Sequence, residues 1–229
     1  MCYNFRTSIV SYTIGITSAI FALCTRQFVL GVLILAYSQM QLSEMIIWYG
    51  IDHDNTDINR NGTSFGKYLL ATHNIAIGLG VILSIIFISK RKITMTDFIP
   101  LIIGIMFFLY IVFIFYLPGK YPDVTYQLDP SCTKHDCQTQ GNRLKWTYPH
   151  SWYAFSYIIS LVIMVVWCRP ISSKIFMIFM FSTLLLITTI ITPKVVGSVW
   201  CFSTAILAPV MVIGNYILIR NTPSSEILV

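Results

Sequence analysis

Charged residues are scarce in this sequence, since only 10% of its 229 residues are Asp, Glu, Lys or Arg. A soluble domain carries roughly 25% charged residues. The 15 Lys and Arg residues are also scattered in short stretches, without the clustered basic face of a nucleic-acid-binding protein. The composition therefore excludes a soluble domain of ordinary make-up, and we expect no nucleic-acid partner.

Signature motifs of soluble enzymes are missing as well. The sequence contains no P-loop, GxSxG, HExxH or dinucleotide-binding glycine pattern, so it lacks the spacings that bind phosphate, expose a nucleophile or hold zinc. A zinc site made of Glu44, His73, His150 and a cysteine is chemically allowed. Its ligands would come from separate helices, however, without HxxxH or CxxC spacing. We expect no metal and no cofactor, and the residues leave open whether the protein is an enzyme.

Hydrophobic residues make up 56% of the chain. They are grouped in runs near the ~20 residues that an α-helix needs to cross ~30 Å of hydrocarbon. The runs are continuous rather than alternating, which favours helices over the strands of a membrane β-barrel. The sequence therefore predicts an all-α fold, a polytopic membrane helix bundle forming a single transmembrane domain over 1–229. Its seven transmembrane helices are predicted at about 8–24, 28–48, 68–89, 98–117, 151–167, 175–191 and 199–219.

The basic residues predict the orientation of this bundle. Seven of the 15 lie in short loops on one side: Arg26, Lys90, Arg91, Lys92, Arg169, Lys174 and Arg220. Positive charge in short loops stays in the cytoplasm. We therefore expect the amino terminus outside or in the lumen, on a first helix that is retained rather than cleaved, and the carboxyl terminus in the cytoplasm. The outer side then holds the sequon Asn61-Gly62-Thr63, a glycosylation acceptor at Asn61, and a long loop at 118–150.

The six cysteines divide between the two sides. Cys24 and Cys168 lie at inner ends of spans and are expected to stay reduced. The other four are at or beyond the outer ends and allow three connectivities: Cys2, Cys132, Cys137 and Cys201. We favour a Cys132–Cys137 disulfide in the long outer loop and a Cys2–Cys201 disulfide between the first and last helices. Cys2 as a metal ligand, or as an exposed terminal residue, stays open.

One carboxylate, Glu44, lies well inside a predicted span, and an ionisable residue at such a position is a functional-site hypothesis by default. Gln41 and Trp48 share its helix face at i−3 and i+4. Further polar groups are predicted at nearly the same depth on other spans: His73, Asn74, His150, Tyr153, Trp200 and Cys201. This layer predicts an outer-leaflet binding pocket, with Glu44 and His73 as candidate acid–base or ligand groups. The alternative is a Glu–His pair that serves packing alone.

Seven spans with the amino terminus outside is the topology of rhodopsins and G-protein-coupled receptors, but the signature residues of both families are missing. Span seven has no lysine for a retinal Schiff base, and the inner end of span three reads Ile88-Ser89-Lys90. Met1-Cys2-Tyr3-Asn4, the intramembrane Glu44 and His73, and Gly197-Ser198-Val199-Trp200-Cys201 resemble a family of uncharacterised multi-pass membrane proteins. That family is known chiefly from giant DNA viruses, with distant bacterial relatives. The resemblance implies a host-cell or virion membrane and no particular activity.

Three classes of function remain for such a chain. The first is a structural or interaction component of a cellular or virion membrane, whose partners are the lipid bilayer, other membrane proteins or further copies of itself. The second is a membrane enzyme or small-ligand binder that uses the Glu44/His73 pocket. A channel or transporter is the third, although the inner halves of spans two to four are almost wholly apolar and no inverted repeat is visible. We favour the first class from the sequence.

Overall fold

The computed structural model describes residues 4–89, 92–117, 123–127, 144–145, 159, 162–163, 166–167, 171–191 and 196–222. The helices are α1 (Phe5–Cys24), α2 (Phe28–Asp52), α3 (Thr56–Ala71), α4 (His73–Ser84), α5 (Ile99–Ile111), α6 (Ile171–Ile191) and α7 (Val196–Arg220). Turns of π-helix at Ile85–Ser89 and Val112–Tyr116 extend α4 and α5, and a 3-10 turn at Met95–Phe98 precedes α5. A short antiparallel pair joins β1 (Tyr126–Gln127) to β2 (Leu144–Lys145). The described chain is thus essentially all-α, as predicted.

Local signals in the sequence set where several helices begin. The side chain of Asn4 accepts a hydrogen bond from Thr7 N (2.9 Å) and caps α1. Asn55 caps α3 in the same way, through a bond from Ile58 N (3.0 Å). Such caps satisfy backbone donors that the first turn of a helix leaves without an intrahelical partner. Between α1 and α2 the chain turns within three residues, and Arg26 takes the left-handed conformation there (φ 61°).

Five helices in the described residues are long and apolar enough to cross a membrane, and a sixth span results when one bent helix pair is counted as a unit. These are the helices of a membrane-embedded protein. The five match predicted spans one, two, four, six and seven, with ends shifted by a few residues. Predicted span five, 151–167, lies mostly outside the described residues. The total of seven therefore stays a prediction.

The third predicted span is wrong in its boundaries. It was expected at 68–89, after a loop, but the chain is already helical from Thr56 and bends by 49° between α3 and the helix that starts at His73. The hydropathy pattern does not reveal α3 because the composition of this helix is polar. Gly62 lies against α2, because a Cβ atom on it would be 3.0 Å from Ile47 N, and Ser43 Oγ donates to Gly62 O (2.7 Å). Residues 56–71 therefore run alongside α2 instead of forming a loop.

The predicted glycosylation site is affected by this correction. Asn61 is exposed but lies within α3, and the Thr63 side chain is fully buried. The Thr63 hydroxyl is within hydrogen-bond distance of Asn59 Oδ1 (3.1 Å) and Thr125 Oγ1 (2.8 Å). Acceptor sequons are expected in surface loops, so the fold gives no support to glycosylation at Asn61.

A segment after α5, residues 123–127, is held against α3 by buried hydrogen bonds. Asn59 Nδ2 donates to Thr125 O (2.9 Å), and Thr125 N donates to Asn59 Oδ1 (3.0 Å). Arg60 pairs with Asp123 (2.8 Å) and with Asp57 (3.0 Å), but these ion pairs are solvent-exposed and contribute little. We call 123–127 the docked segment. It belongs to the predicted outer loop 118–150 and leads directly into β1.

Small residues bring the helices close together. On α1, four of them form a buried stripe, as is common where membrane helices pack: Ser8, Ser11, Gly15 and Ser18. A Cβ atom built on Gly80 of α4 would lie only 2.5 Å from the Cα atom of Val29 in α2. The helices are therefore packed at backbone contact over part of their length.

A buried polar network joins α2, α6 and α7 near the Phe28 end of α2. Asn215 Nδ2 donates to Gln27 Oε1 (2.7 Å), and the Ser173 hydroxyl donates to Asn215 Oδ1. Gln27 Nε2 in turn donates to Thr25 Oγ1 (2.9 Å). Asn215 thus forms hydrogen bonds between helices, and no sequence pattern identifies Gln27 as its partner.

We expect Asn215→Ala to lower the free energy of unfolding by about 1–2 kcal/mol. Interhelical polar bonds in membranes average ~0.6 kcal/mol each, and two are lost here. Thermal unfolding in nanodiscs measures the change, with Asn221→Ala as the control because Asn221 is exposed just beyond α7. Equal stabilities for the two variants would contradict a structural role for the network.

Candidate ligand site

One face of α2 carries a row of polar and aromatic side chains at helical spacing. Tyr37, Gln41, Glu44 and Trp48 follow one another at i, i+4, i+7 and i+11, so they lie on one side of the helix. Their exposed fractions are 4%, 0%, 0% and 3%. We call this set the α2 row. Its burial agrees with the shared face that the sequence predicts for the last three residues.

Neighbouring contacts show where the α2 row faces. The Ser11 hydroxyl of α1 donates to Gln41 Oε1 (2.5 Å), so Gln41 is turned towards α1. Ser43 is turned towards α3 through its bond to Gly62 O (2.7 Å). At 100° per residue, Glu44 points between these two directions, into the interior of the bundle. A fully buried carboxylate in a membrane span costs about 2.5–3.5 kcal/mol on insertion scales, which makes Glu44 a candidate functional residue.

His73 is buried (6% exposed) at the first position of α4, immediately after the bend. Its ring packs edge-on against Tyr37, with 4.2 Å between the ring centroids. Tyr37 is seven residues before Glu44, which corresponds to about 10 Å along the helix. His73 therefore lies deeper in the bundle than Glu44, not at the same depth as the sequence predicted. The cause is α3, which already takes the chain down along α2 before His73 is reached.

Two buried nitrogen atoms stand out along this surface. Neither the indole Nε1 of Trp48 nor Nε2 of His73 has a hydrogen-bond partner within the described part of the chain. Roughly nine in ten buried polar groups have one, and leaving one unsatisfied costs about 1–3 kcal/mol. They lie at opposite ends of the α2 row, because His73 packs against Tyr37 and Trp48 is eleven residues further along the helix. The arrangement is typical of a site that is completed by another molecule.

The site is bounded by apolar side chains on one side and by β2 on the other. Towards the Phe28 end of α2, its face continues with fully buried Leu30, Leu33 and Ile34, which separate the α2 row from the Gln27 network. Towards the Asp52 end, Leu144 of β2 is fully buried in the same hydrophobic cluster as Trp48.

The remaining predicted site residues have different outcomes. Asn74 is fully buried next to His73, and its backbone packs against α5 at Gly104. Trp200 and Cys201 belong to α7, but their side chains are outside what the structure describes. His150 and Tyr153 also lie outside it, as do the disulfide candidates Cys2, Cys132 and Cys137. The two predicted disulfides therefore stay predictions, and among the described residues Cys24 carries a free, exposed thiol.

Sequence reasoning missed one member of the site and one class of contact. Ser11 belongs to the small-residue stripe of α1, yet its hydroxyl also donates to Gln41 Oε1. A serine on the buried face of one span, opposite a glutamine on the next, is the signal that could have identified the pair. Within the described residues, no group of three or more His, Cys, Asp or Glu side chains could hold a metal ion.

Comparison with known proteins identifies no relative of this chain. No protein-family model matches the chain, and neither a curated protein nor a solved structure matches it.

Proposed function

We propose that this membrane protein binds a small polar ligand within its helix bundle, beside Glu44 and Trp48 of the α2 row. The observation that carries the proposal is the buried indole nitrogen of Trp48, Nε1, which lacks a hydrogen-bond partner in the described residues. It lies one helical turn from a carboxylate with no exposed surface, Glu44. A purely structural interface of apolar helices needs none of these groups, because dispersion and small-residue packing hold such helices together.

The site opens to one side of the membrane in this proposal. Leu30, Leu33 and Ile34 close the face of α2 below it, which favours a binding site over a channel that spans the bundle. The basic residues of the short loops favour a position outside the membrane or in the lumen for the Asp52 end of α2. The ligand then comes from that outer side. On the family resemblance of the sequence, the membrane is that of a host cell or a virion.

Replacing Glu44 with glutamine tests the proposal, because the shape is kept and the charge is removed. If Glu44 serves a ligand, its burial is a cost to the ligand-free protein, and Glu44→Gln raises the free energy of unfolding by about 0.5–2 kcal/mol. If Glu44 instead forms a structural charge pair, the same change destabilises by about 3–5 kcal/mol. Thermal unfolding in phosphatidylcholine nanodiscs separates the two signs.

Two further variants serve as controls for the change in stability caused by Glu44→Gln. Asp52→Asn removes an exposed carboxylate from the same helix and is expected to leave stability within about 0.5 kcal/mol of the original. Asn215→Ala removes a structural polar group and is expected to destabilise. Destabilisation by Glu44→Gln as large as that by Asn215→Ala would overturn the binding site and favour the structural or interaction role instead.

A further inference from the structure

The helices α1 and α7 run side by side in the same direction. A Cβ atom built on Gly15 of α1 would lie 3.6 Å from the Cβ atom of Ala205 in α7. Further along, the rings of Phe21 and Tyr216 meet edge-on, with 6.4 Å between their centroids. Both helices therefore end near the Phe28 end of α2. We call their line of contact, from these two rings to the helix ends, the α1–α7 seam.

An arginine stands on each side of this seam. Arg220 is four residues after Tyr216 and lies on the same face of α7. Arg26 is five residues after Phe21, in the turn that follows α1. Both side chains are exposed, and within the described part of the chain neither guanidinium group has an ion-pair or hydrogen-bond partner. Two positive charges therefore flank the end of the seam, each about one helical turn beyond the rings.

The backbone of Arg26 points to a role for its side chain. Its φ angle of 61° is in the left-handed region, which is unfavourable for most residues and favours glycine. In the described residues the other non-glycine position with positive φ is Asp54, and aspartate enters this region more readily. Glycine would serve the turn between α1 and α2 better than arginine does. Such a strained position is a reason to seek a function for the residue that occupies it.

The charges at this end of the bundle favour an anionic partner. Two lysines lie at the same end, Lys92 and Lys174. The described residues there include a single carboxylate, Asp97, which is buried (3% exposed) and accepts a hydrogen bond from Thr94 N (2.8 Å). The ammonium group of a zwitterionic lipid headgroup therefore meets no exposed carboxylate among them. The opposite end of the bundle has four exposed carboxylates: Asp52, Asp54, Asp57 and Asp123.

We infer that the α1–α7 seam binds an anionic phospholipid of the surrounding membrane. The headgroup phosphate lies between Arg26 and Arg220, since guanidinium groups form charge-assisted hydrogen bonds with phosphate oxygens. Basic sites between membrane helices are known to hold acidic headgroups in this way. An acyl chain lies along Phe21 and Ile217, which are 46% and 52% exposed on the lipid side of the two helices. This surface is separate from the ligand site beside Glu44, so the inference goes beyond the proposed function.

Thermal unfolding in phosphatidylcholine nanodiscs with an increasing fraction of phosphatidylglycerol tests this inference. The unfolding temperature of the original protein is expected to rise and then level off, by about 2–6 °C in total. Arg26→Gly should lose most of this rise, yet unfold at no lower a temperature in pure phosphatidylcholine, because the left-handed turn favours glycine. Arg220→Gln should also lose most of the rise, whereas Arg220→Lys keeps the charge and should retain part of it.

Arg6→Gln is the matched control, because Arg6 is an exposed arginine at the opposite end of α1. This variant should respond to phosphatidylglycerol as the original protein does. The inference is overturned if the original protein shows no rise, or if Arg6→Gln loses as much of the rise as Arg26→Gly does. The second result would mean that anionic lipid attracts the basic protein in general. A lower stability of Arg26→Gly in pure phosphatidylcholine with an undiminished rise would assign Arg26 to the turn instead and equally reject the site.

Discussion

Alanine at Gly104 is expected to lower the free energy of unfolding by about 1–3 kcal/mol, because its methyl group has no space between α4 and α5. A Cβ atom at Gly104 would lie 2.6 Å from Ile75 N and 2.7 Å from Asn74 C. These are backbone atoms, so no change of rotamer relieves the contact and the helices must separate. Separation also disturbs the reciprocal contact, where a Cβ atom on Gly78 would lie 2.6 Å from Leu101 N.

Gly214→Ala is the matched control for this prediction. The Cβ atom at Gly214 would meet the tip of the Phe176 ring at 2.7 Å, and a ring can turn aside. Both glycines are helical, so the gain in helix propensity of up to about 1 kcal/mol applies to both variants and cancels in the comparison. Unfolding in nanodiscs should show a clearly lower stability for the variant at Gly104. Equal stabilities would mean that α4 and α5 are not in backbone contact.

Asn59→Ala is expected to destabilise the protein by about 2–4 kcal/mol and to release the docked segment. The change removes both hydrogen bonds to the backbone of Thr125, a residue with no exposed surface. Each buried group left without its partner costs about 1–3 kcal/mol. Limited chymotrypsin digestion gives a local readout, since Tyr126 is 61% exposed and cleavage after it requires the segment to leave α3.

Asn61→Ala provides the control for Asn59→Ala, because Asn61 lies on the same helix but is exposed. Its stability and its rate of cleavage after Tyr126 should stay close to those of the original protein. The interpretation of the docked segment as a fixed part of the fold fails if both asparagine variants are cleaved at the same rate.

Several features of the site could be predicted from sequence because they are local. The common face of Gln41, Glu44 and Trp48 follows from the helical repeat, and burial of the face follows from the apolar residues around it. The depth of His73 could not be predicted in the same way. It depends on α3, a helix whose polar composition resembles that of a loop and which forms because one side of it packs on α2.

The hydrogen bonds between distant parts of the bundle could not be predicted from the sequence either. Gln27 and Asn215 are 188 positions apart, and Asn59 and Thr125 are 66 apart, yet each pair is hydrogen-bonded and buried. Many asparagine, glutamine and threonine side chains could form such bonds. Only the packed arrangement selects among them.

The sequence by itself determined that this chain is embedded in a membrane as helices, because long apolar runs must satisfy their backbone hydrogen bonds internally once they are in lipid. Its scarcity of charge also made Glu44 conspicuous. The tertiary structure alone decided that residues 56–71 are a helix, that His73 lies beside Tyr37, and that Trp48 and His73 each bury a nitrogen atom that has no hydrogen-bond partner among the described residues. These are outcomes of contacts between helices, and contacts between distant residues depend on how the elements pack rather than on the order of the residues along any one of them.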